Sequence, residues 1–269
     1  MLQNSVELLR QARAQGNYIP AFNVYNLETM QAALQASAQA ERPVMLAFGA
    51  SYLDNASLEV IVAMARTLAE GHPQPVVLHL DHCRDIGVIR AAIQAGFTSV
   101  MYDGSHLPLA ENIANSRQVV EMAHAANVSV EGELGCLNAE DGTGEADGPY
   151  TDPAQARRYV AESGVDSLAV AVGNAHGLYK GTPHLEMELL GRLYDAAGVP
   201  LVLHGCSGIP LEQIRQAVSI AVTKINVNTE VALAGGEQLR QMLQDGPVRL
   251  EKLMLAAREK MQQVMEHFY

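Results

Sequence analysis

Short apolar or β-branched runs alternate along the chain with longer segments whose apolar residues recur at helical spacing. The runs are YIPAFNV (18–24), PVMLAF (43–48), PVVLHL (75–80), TSVMY (98–102), VSVEGEL (128–134), SLAVAV (167–172), PLVLH (200–204) and VTKINV (222–227). Helical segments between them include 27–40, 58–70, 109–126, 153–163 and 186–197. Four runs open just after a Gly or Pro breaker that follows a helical segment, as at Pro43, Pro73, Gly96 and Pro200. Near-continuous apolar strands separated by helices predict a parallel sheet covered by helices. Eight such units predict an α/β TIM (β/α)8 barrel, with a doubly wound open sheet as the lesser alternative. Beyond the eighth run the helical pattern continues to the end, broken at Asp245-Gly246-Pro247. That tail adds C-terminal helix to the barrel rather than a second domain. No linker or low-complexity tract divides the sequence, so residues 1–269 are read as one domain.

Strands buried on both faces should be apolar, yet the C-terminal ends of six consecutive runs carry residues able to do chemistry. They are His79-Leu80-Asp81-His82, Asp103-Gly104-Ser105, Glu131-Gly132-Glu133, Asn174-Ala175-His176-Gly177, His204-Gly205-Cys206-Ser207 and Asn226-Val227-Asn228-Thr229. In a barrel these ends meet at one mouth, where such folds place their active sites.

Three of the nine histidines, His82, His176 and His204, stand at the ends of strands three, six and seven. Barrel closure would bring them to one ion, and three imidazoles with an open position are the donor set of a catalytic Zn²⁺ site. Imidazole also suits Co, Ni or Fe. His79 is read as lying inside the barrel or beside the metal, and the remaining histidines as loop and helix residues. Asp81 is the candidate for moving the proton of a substrate hydroxyl. Adjacent strand residues point to opposite faces, so a bend must bring both Asp81 and His82 to the mouth. Glu131 and Glu133 share a face. Either one of them is a buried partner for His or Lys groups, or Glu133 and Asp103 form an oxygen-rich site for a second cation.

Two glycine-framed turns follow strands six and seven, Gly177-Leu178-Tyr179-Lys180-Gly181 and Gly205-Cys206-Ser207-Gly208. Glycine lets backbone N–H groups converge on phosphate oxygens, and the last loops of a barrel are its usual phosphate site, though any one such turn can be empty. Lys180, Ser207, Asn228 and Thr229 add donors, which favours a phosphate monoester. The acidic, glycine-rich segment 135–150 is longer than a usual βα connection; it is either a loose loop tip or a lid carrying an acid, Glu140 or Asp141.

Composition narrows the partners. The 18 Lys plus Arg against 30 Asp plus Glu give a formal charge of −12, which argues against nucleic acid or an anionic membrane surface. At 269 residues and 48% hydrophobic, the chain is long enough to bury roughly three quarters of its unfolded surface as one fold, which excludes disorder. Cys83, Cys136 and Cys206 are odd in number and lack CxxC spacing, so reduced thiols and a cytoplasmic location are expected. The amphipathic first 16 residues lack the apolar core of a signal peptide, and no run approaches the roughly 18 apolar residues of a membrane span.

Taken in order, Pro20-Ala21-Phe22-Asn23, Leu78-His79-Leu80-Asp81-His82, Val130-Glu131-Gly132-Glu133-Leu134-Gly135, Asn174-Ala175-His176-Gly177-Leu178-Tyr179, Leu203-His204-Gly205-Cys206-Ser207-Gly208 and Lys224-Ile225-Asn226-Val227-Asn228-Thr229-Glu230 carry a resemblance that covers most of the chain. The sequence resembles the class II, metal-dependent ketose-bisphosphate aldolases, most closely their tagatose-1,6-bisphosphate branch. The resemblance implies that His82, His176 and His204 hold Zn²⁺ and that Asp81 shuttles the proton of the hydroxyl at the cleaved bond. It implies that Gly177, Lys180, Gly205, Ser207, Asn228 and Thr229 cradle the C1 phosphate and that Asn226 contacts the dihydroxyacetone-phosphate part. Asp103 and Glu133 match positions that help bind the metal in alternative sites. Such enzymes are homodimers or homotetramers, often helped by Na⁺ or K⁺.

The expected reaction is reversible cleavage of a tagatose or fructose 1,6-bisphosphate to dihydroxyacetone phosphate and glyceraldehyde 3-phosphate. Three departures from the family pattern bear on it. Asp141 stands where the lid acid is usually glutamate, with Glu140 just before it. Asn138-Ala139 replaces a common Gly-Gly. The Asp-Pro-Arg stretch whose arginine grips the far phosphate in a neighbouring subunit is not recognisable in Gly246-Pro247-Val248-Arg249. Either Arg249 substitutes, or the substrate is a ketose 1-phosphate. The competing readings are another metal-dependent sugar-phosphate barrel of the epimerase type and a non-catalytic aldolase-like subunit.

Overall fold

The computed structural model describes residues 1–135, 150–177, 179, 181, 183–244 and 246–269. Eight parallel strands pair in sequence order and close on themselves, β1 (Ile19–Asn23), β2 (Val44–Gly49), β3 (Val76–Cys83), β4 (Ser99–Tyr102), β5 (Ser129–Leu134), β6 (Ser167–Val170), β7 (Leu201–Leu203) and β8 (Val222–Val227). Closure is the β1–β8 seam, in register from Ile19 against Lys224 to Phe22 against Val227. The barrel expected from eight alternating units is therefore the fold, and the open sheet is excluded.

Helices α2 (Leu27–Ala40), α3 (Leu58–Ala69), α4 (Ile86–Ala95), α5 (Leu109–His124), α6 (Pro153–Ser163), α7 (Met187–Ala197) and α8 (Leu211–Ile220) cover the sheet. Their starts follow local chemistry. Asn26 and Thr29 form a reciprocal capping box at α2, Asp85 accepts from Gly87 and Val88 N–H at α4, and Asp152 caps α6 ahead of Pro153. The tail forms α9 (Thr229–Met242) and α10 (Leu250–Glu266), which pack on each other and, for α10, on α2.

The core has two compartments. The larger lies between the sheet's outer face and the helices and includes Phe22, Phe48, Leu78, Val130 and Leu203. The smaller sits inside the barrel's lower end, where Leu8, Leu9 and Ala12 of α1 (Val6–Ala14) meet Ile19, Ala21, Met45, Ala47 and Val77. The amphipathic N-terminal stretch is thus a plug, and burying Leu8 and Leu9 stabilises it by about 1.5–3 kcal/mol each. Above the plug the interior turns polar, with His79, Asp81, Glu131, Glu133, Lys224 and Asn226 all buried. The mouth is thereby set on a rigid apolar floor. Among the described residues no helix is long and apolar enough to cross a membrane.

Candidate active site

Asp81 and His82 would diverge in a regular strand. The β3–β4 register shifts between Leu80 and Cys83, and His82 adopts the left-handed conformation at φ 45°. This costs a non-glycine residue about 1–2 kcal/mol. The kink brings both side chains to the cavity of about 240 Å³ at the mouth, which His176, His204, Ser207 and Asn226 also line.

Asp81 is held from both sides. Asn226 Nδ2 donates to its Oδ1 at 3.1 Å and Asn23 Nδ2 to its Oδ2 at 3.0 Å. Burial opposes its ionised form, but the charges of His82, His204 and Lys224 outweigh that and keep the carboxyl well below the usual carboxylate range. A fixed carboxylate with lone pairs facing a cavity is suited to accept a hydroxyl proton.

The three histidines converge. Ring centroids lie 4.6 Å apart for His82 and His204, 4.8 Å for His82 and His176, and 6.0 Å for His176 and His204. One nitrogen from each falls within 4.8 Å of the others. His204 Nδ1 faces His82 Nε2 at 2.9 Å, while its Nε2 meets Glu131 Oε1 at 2.8 Å. Tetrahedral zinc at about 2.0–2.1 Å from each nitrogen places its donors about 3.3 Å apart, so this cluster fits a zinc ion with small adjustments. The surrounding charge agrees with a cation. Burial disfavours a charge on His82, yet Asp81, Asp103 and Glu133 push it up to about 10, whereas burial and the neighbouring His82 charge push His176 down to about 3. The carboxylates favour one positive centre among rings that otherwise stay neutral lone-pair donors.

Of the two open readings for the β5 acids, both have geometric content. Glu131 is the buried partner, accepting from His204 and, at 3.1 and 2.8 Å, from the ammonium of Lys224 on β8. Glu133 Oε2 and Asp103 Oδ2 lie 3.6 and 3.8 Å from His82 Nδ1, which makes His82, Asp103 and Glu133 a second group able to hold a cation. Asp103 already accepts from Arg84 Nε at 3.0 Å and from Ser105 Oγ at 2.6 Å. Burial pushes Glu133 up to about 8, helped by the charges of Asp103, Glu131 and Asp81. Gly132 between the acids is required by packing, since a Cβ there would collide with the Tyr159 hydroxyl.

The two glycine turns meet beside the histidine cluster. Tyr179 Oη accepts from Ala175 N at 2.9 Å and donates to Gly205 O at 2.9 Å, tying one turn to the other. Gly205 has φ 66°, and a Cβ there would strike the Ala175 carbonyl. Ser207 Oγ accepts from Glu230 N in the first turn of α9, and Gly208 N donates to Glu230 Oε2. Gly177, Gly205, Ser207, Asn228 and Thr229 share the cavity wall, so the predicted anion site faces the N-terminus of a helix.

The family model described as "Fructose-bisphosphate aldolase class-II" matches residues 3–269, and the chain belongs to this family. It is an aldolase, a carbon–carbon lyase. It is 42% identical over 247 residues to the D-tagatose-1,6-bisphosphate aldolase subunit GatY of Klebsiella oxytoca, which covers 91% of this chain and 87% of the relative. Its fold is similar to the crystal structure of the YdjI aldolase from Escherichia coli K12, with a TM-score of 0.89 at 34% identity, covering 100% of this chain and 96% of the other. It is also similar to the fructose-bisphosphate aldolase of Campylobacter jejuni, with a TM-score of 0.83 at 26% identity, covering 97% and 92% of the two chains.

The structure thus brings together Asp81, His82, His176, His204, Asn226 and the described phosphate-site residues, with Asp103 and Glu133 behind His82. Glu140, Asp141, Lys180 and Cys136 lie outside the described residues. Arg249 does not line the cavity; its side chain is 80% exposed and paired with Glu251. Four contributors carried no assigned role in the sequence reading, namely Asn23, Tyr52, Tyr179 and Lys224. Asn23 ends β1 and obeyed the strand-end rule that found the others. Lys224, a charge inside an apolar strand, was a signal for a buried ion pair. Tyr52, which accepts from Asn228 Nδ2 at 2.9 Å, comes from the turn after β2, where no strand-end rule reaches.

Proposed function

We propose that this chain is a zinc-dependent class II aldolase, one catalytic unit over residues 1–269. It reversibly cleaves a ketose 1,6-bisphosphate of tagatose or fructose type, or a ketose 1-phosphate, to dihydroxyacetone phosphate and an aldehyde. The observation that carries the reading is the convergence of three imidazole nitrogens beside a carboxylate pinned by two amides. The relative whose name specifies D-tagatose 1,6-bisphosphate supports the bisphosphate as the default substrate.

His82, His176 and His204 would hold the ion, which when bound supplies Lewis-acid stabilisation of the negative charge that cleavage leaves on the ketose fragment. In cleavage Asp81 accepts the proton of the hydroxyl next to the breaking bond. That hydroxyl becomes the aldehyde carbonyl, and the carbon–carbon electron pair stays with the phosphorylated fragment. Asn23 and Asn226 keep Asp81 oriented through the step. The fragment's carbon regains a proton from Glu140 or Asp141. Gly177, Lys180, Gly205, Ser207, Asn228 and Thr229 anchor the C1 phosphate with backbone and side-chain donors, so the reacting carbons are placed against Asp81. We also propose a homodimer or homotetramer, activation by Na⁺ or K⁺, and a cytoplasmic location.

The test is a coupled assay for dihydroxyacetone phosphate over ketose 1-phosphates and 1,6-bisphosphates, with and without chelator. Activity that vanishes on chelation and returns with zinc supports the reading; activity that survives exhaustive chelation rejects the metal chemistry.

A further inference from the structure

Among the described residues, Lys224 is the fully buried lysine, and the proposed reaction leaves it without a task. It is fully buried on β8, and its ammonium donates to both oxygens of Glu131, at 3.1 Å to Oε1 and 2.8 Å to Oε2. Glu131, 2% exposed on β5, in turn meets His204 Nε2 at 2.8 Å. The other ring nitrogen, Nδ1, points at His82 Nε2. Lys224 of β8, Glu131 of β5, His204 just past the end of β7 and His82 of β3 therefore form one continuous chain of polar contacts that ends at the histidine cluster.

We propose that Lys224 is a positioning residue for the metal site, acting through Glu131 to fix which nitrogen of His204 bears the proton. This rests on the metal reading above. A carboxylate only accepts hydrogen bonds and an ammonium only donates them. With Glu131 held as acceptor by Lys224, the nitrogen of His204 facing it must be the donor, so Nε2 carries the hydrogen. The lone pair is then on Nδ1, the nitrogen directed at the other imidazoles. Such outer partners orient a ligating histidine and raise its basicity. The lysine is thus not a nucleophile; its charge sets the polarity of the chain.

The variant Glu131→Gln tests this at constant shape. Oε1 is the oxygen that Lys224 and His204 share, so in this variant the amide oxygen takes that position, accepting from both the ammonium and Nε2–H, and the amide NH2 takes the Oε2 position. His204 then keeps Nε2–H, which imidazole ¹⁵N shifts of the zinc-free protein should report, and zinc affinity, by competition with a chromophoric chelator, should stay within about ten-fold of the wild type. In the double variant Lys224→Met/Glu131→Gln no ammonium holds the amide oxygen, so the NH2 can turn to His204, an Nδ1–H form should appear beside Nε2–H, and zinc affinity should fall below that of Glu131→Gln. The proposal is overturned if Glu131→Gln alone moves the proton to Nδ1, or if the double variant shows only Nε2–H and binds zinc like Glu131→Gln. Should the double variant not fold, the tautomer in Glu131→Gln decides alone. Failure of the metal reading looks different: zinc would leave the wild-type His204 Nδ1 resonance unmoved, and both proposals would fall.

Discussion

At His82 the backbone enters the left-handed region, and the meeting of Asp81 and His82 at the mouth depends on that one residue. Without it Asp81 and His82 would face opposite sides of the sheet, one in the mouth and one among the helices. The strain is small beside what the convergence supplies, because an imidazole and a carboxylate become neighbours in one cavity. Asp81→Asn preserves shape but removes the acceptor, so kcat should fall by about 10²–10⁴-fold while zinc per chain is unchanged. Steady-state kinetics with metal analysis checks it, and an unaltered kcat would reassign the proton to another group. Gly132 answers to packing rather than dihedral freedom. Gly132→Ala forces Tyr159, hydrogen-bonded to Ser116 Oγ at 2.7 Å, out of its seat, and should lower stability by about 1–3 kcal/mol in urea unfolding.

At the scale of elements, the molecule separates stability from chemistry along the barrel axis. α1 plugs the lower end and none of its residues lines the mouth cavity, so Leu9→Ala should cost about 2–5 kcal/mol while kcat of the folded enzyme stays at the wild-type value. A matching loss of kcat at full folding would show that the floor transmits strain to the site. Asp85 caps α4 three residues beyond His82. Replacing it with Ala should remove about 0.5–2 kcal/mol from the denaturant midpoint stability. The elements themselves were legible because each strand is a continuous apolar run and each helix a periodic one. Boundaries moved by a few residues, most at β3, which continues to Cys83 because its irregular pairing with β4 extends past the apolar run through Asp81 and His82.

For the whole molecule, chelation should abolish carbon–carbon cleavage and leave the far-ultraviolet circular dichroism spectrum of the barrel intact. The apolar core is built from the sheet and helices and does not pass through the histidine cluster. Zinc should restore the rate. A simultaneous loss of helix signal would make the ion part of the fold. The far end of the substrate can be read in the same assay. Arg249 lies outside this chain's own cavity in a surface pair with Glu251, so Arg249→Gln should leave the ratio of kcat/KM for a 1,6-bisphosphate and its 1-phosphate unchanged within about two-fold, and a fall in that ratio would place it at a neighbouring subunit's site.

The amino-acid order by itself determined the alternation of strand and helix, the count of eight, the polar residues at six strand ends and the family's motifs. These are local properties: periodicity, breakers and residue type are all set by neighbours in the chain. Sequence also placed both β5 acids on one face but could not say which would serve His204, because that depends on a lysine 93 positions away. Only closure of the barrel decided it, together with the two amides on Asp81, the tyrosine joining the glycine turns and the kink at His82. Each of these contacts joins side chains from different strands or loops, or trades local strain for a distant neighbour. Such terms exist only once the tertiary structure has brought the partners within hydrogen-bonding range.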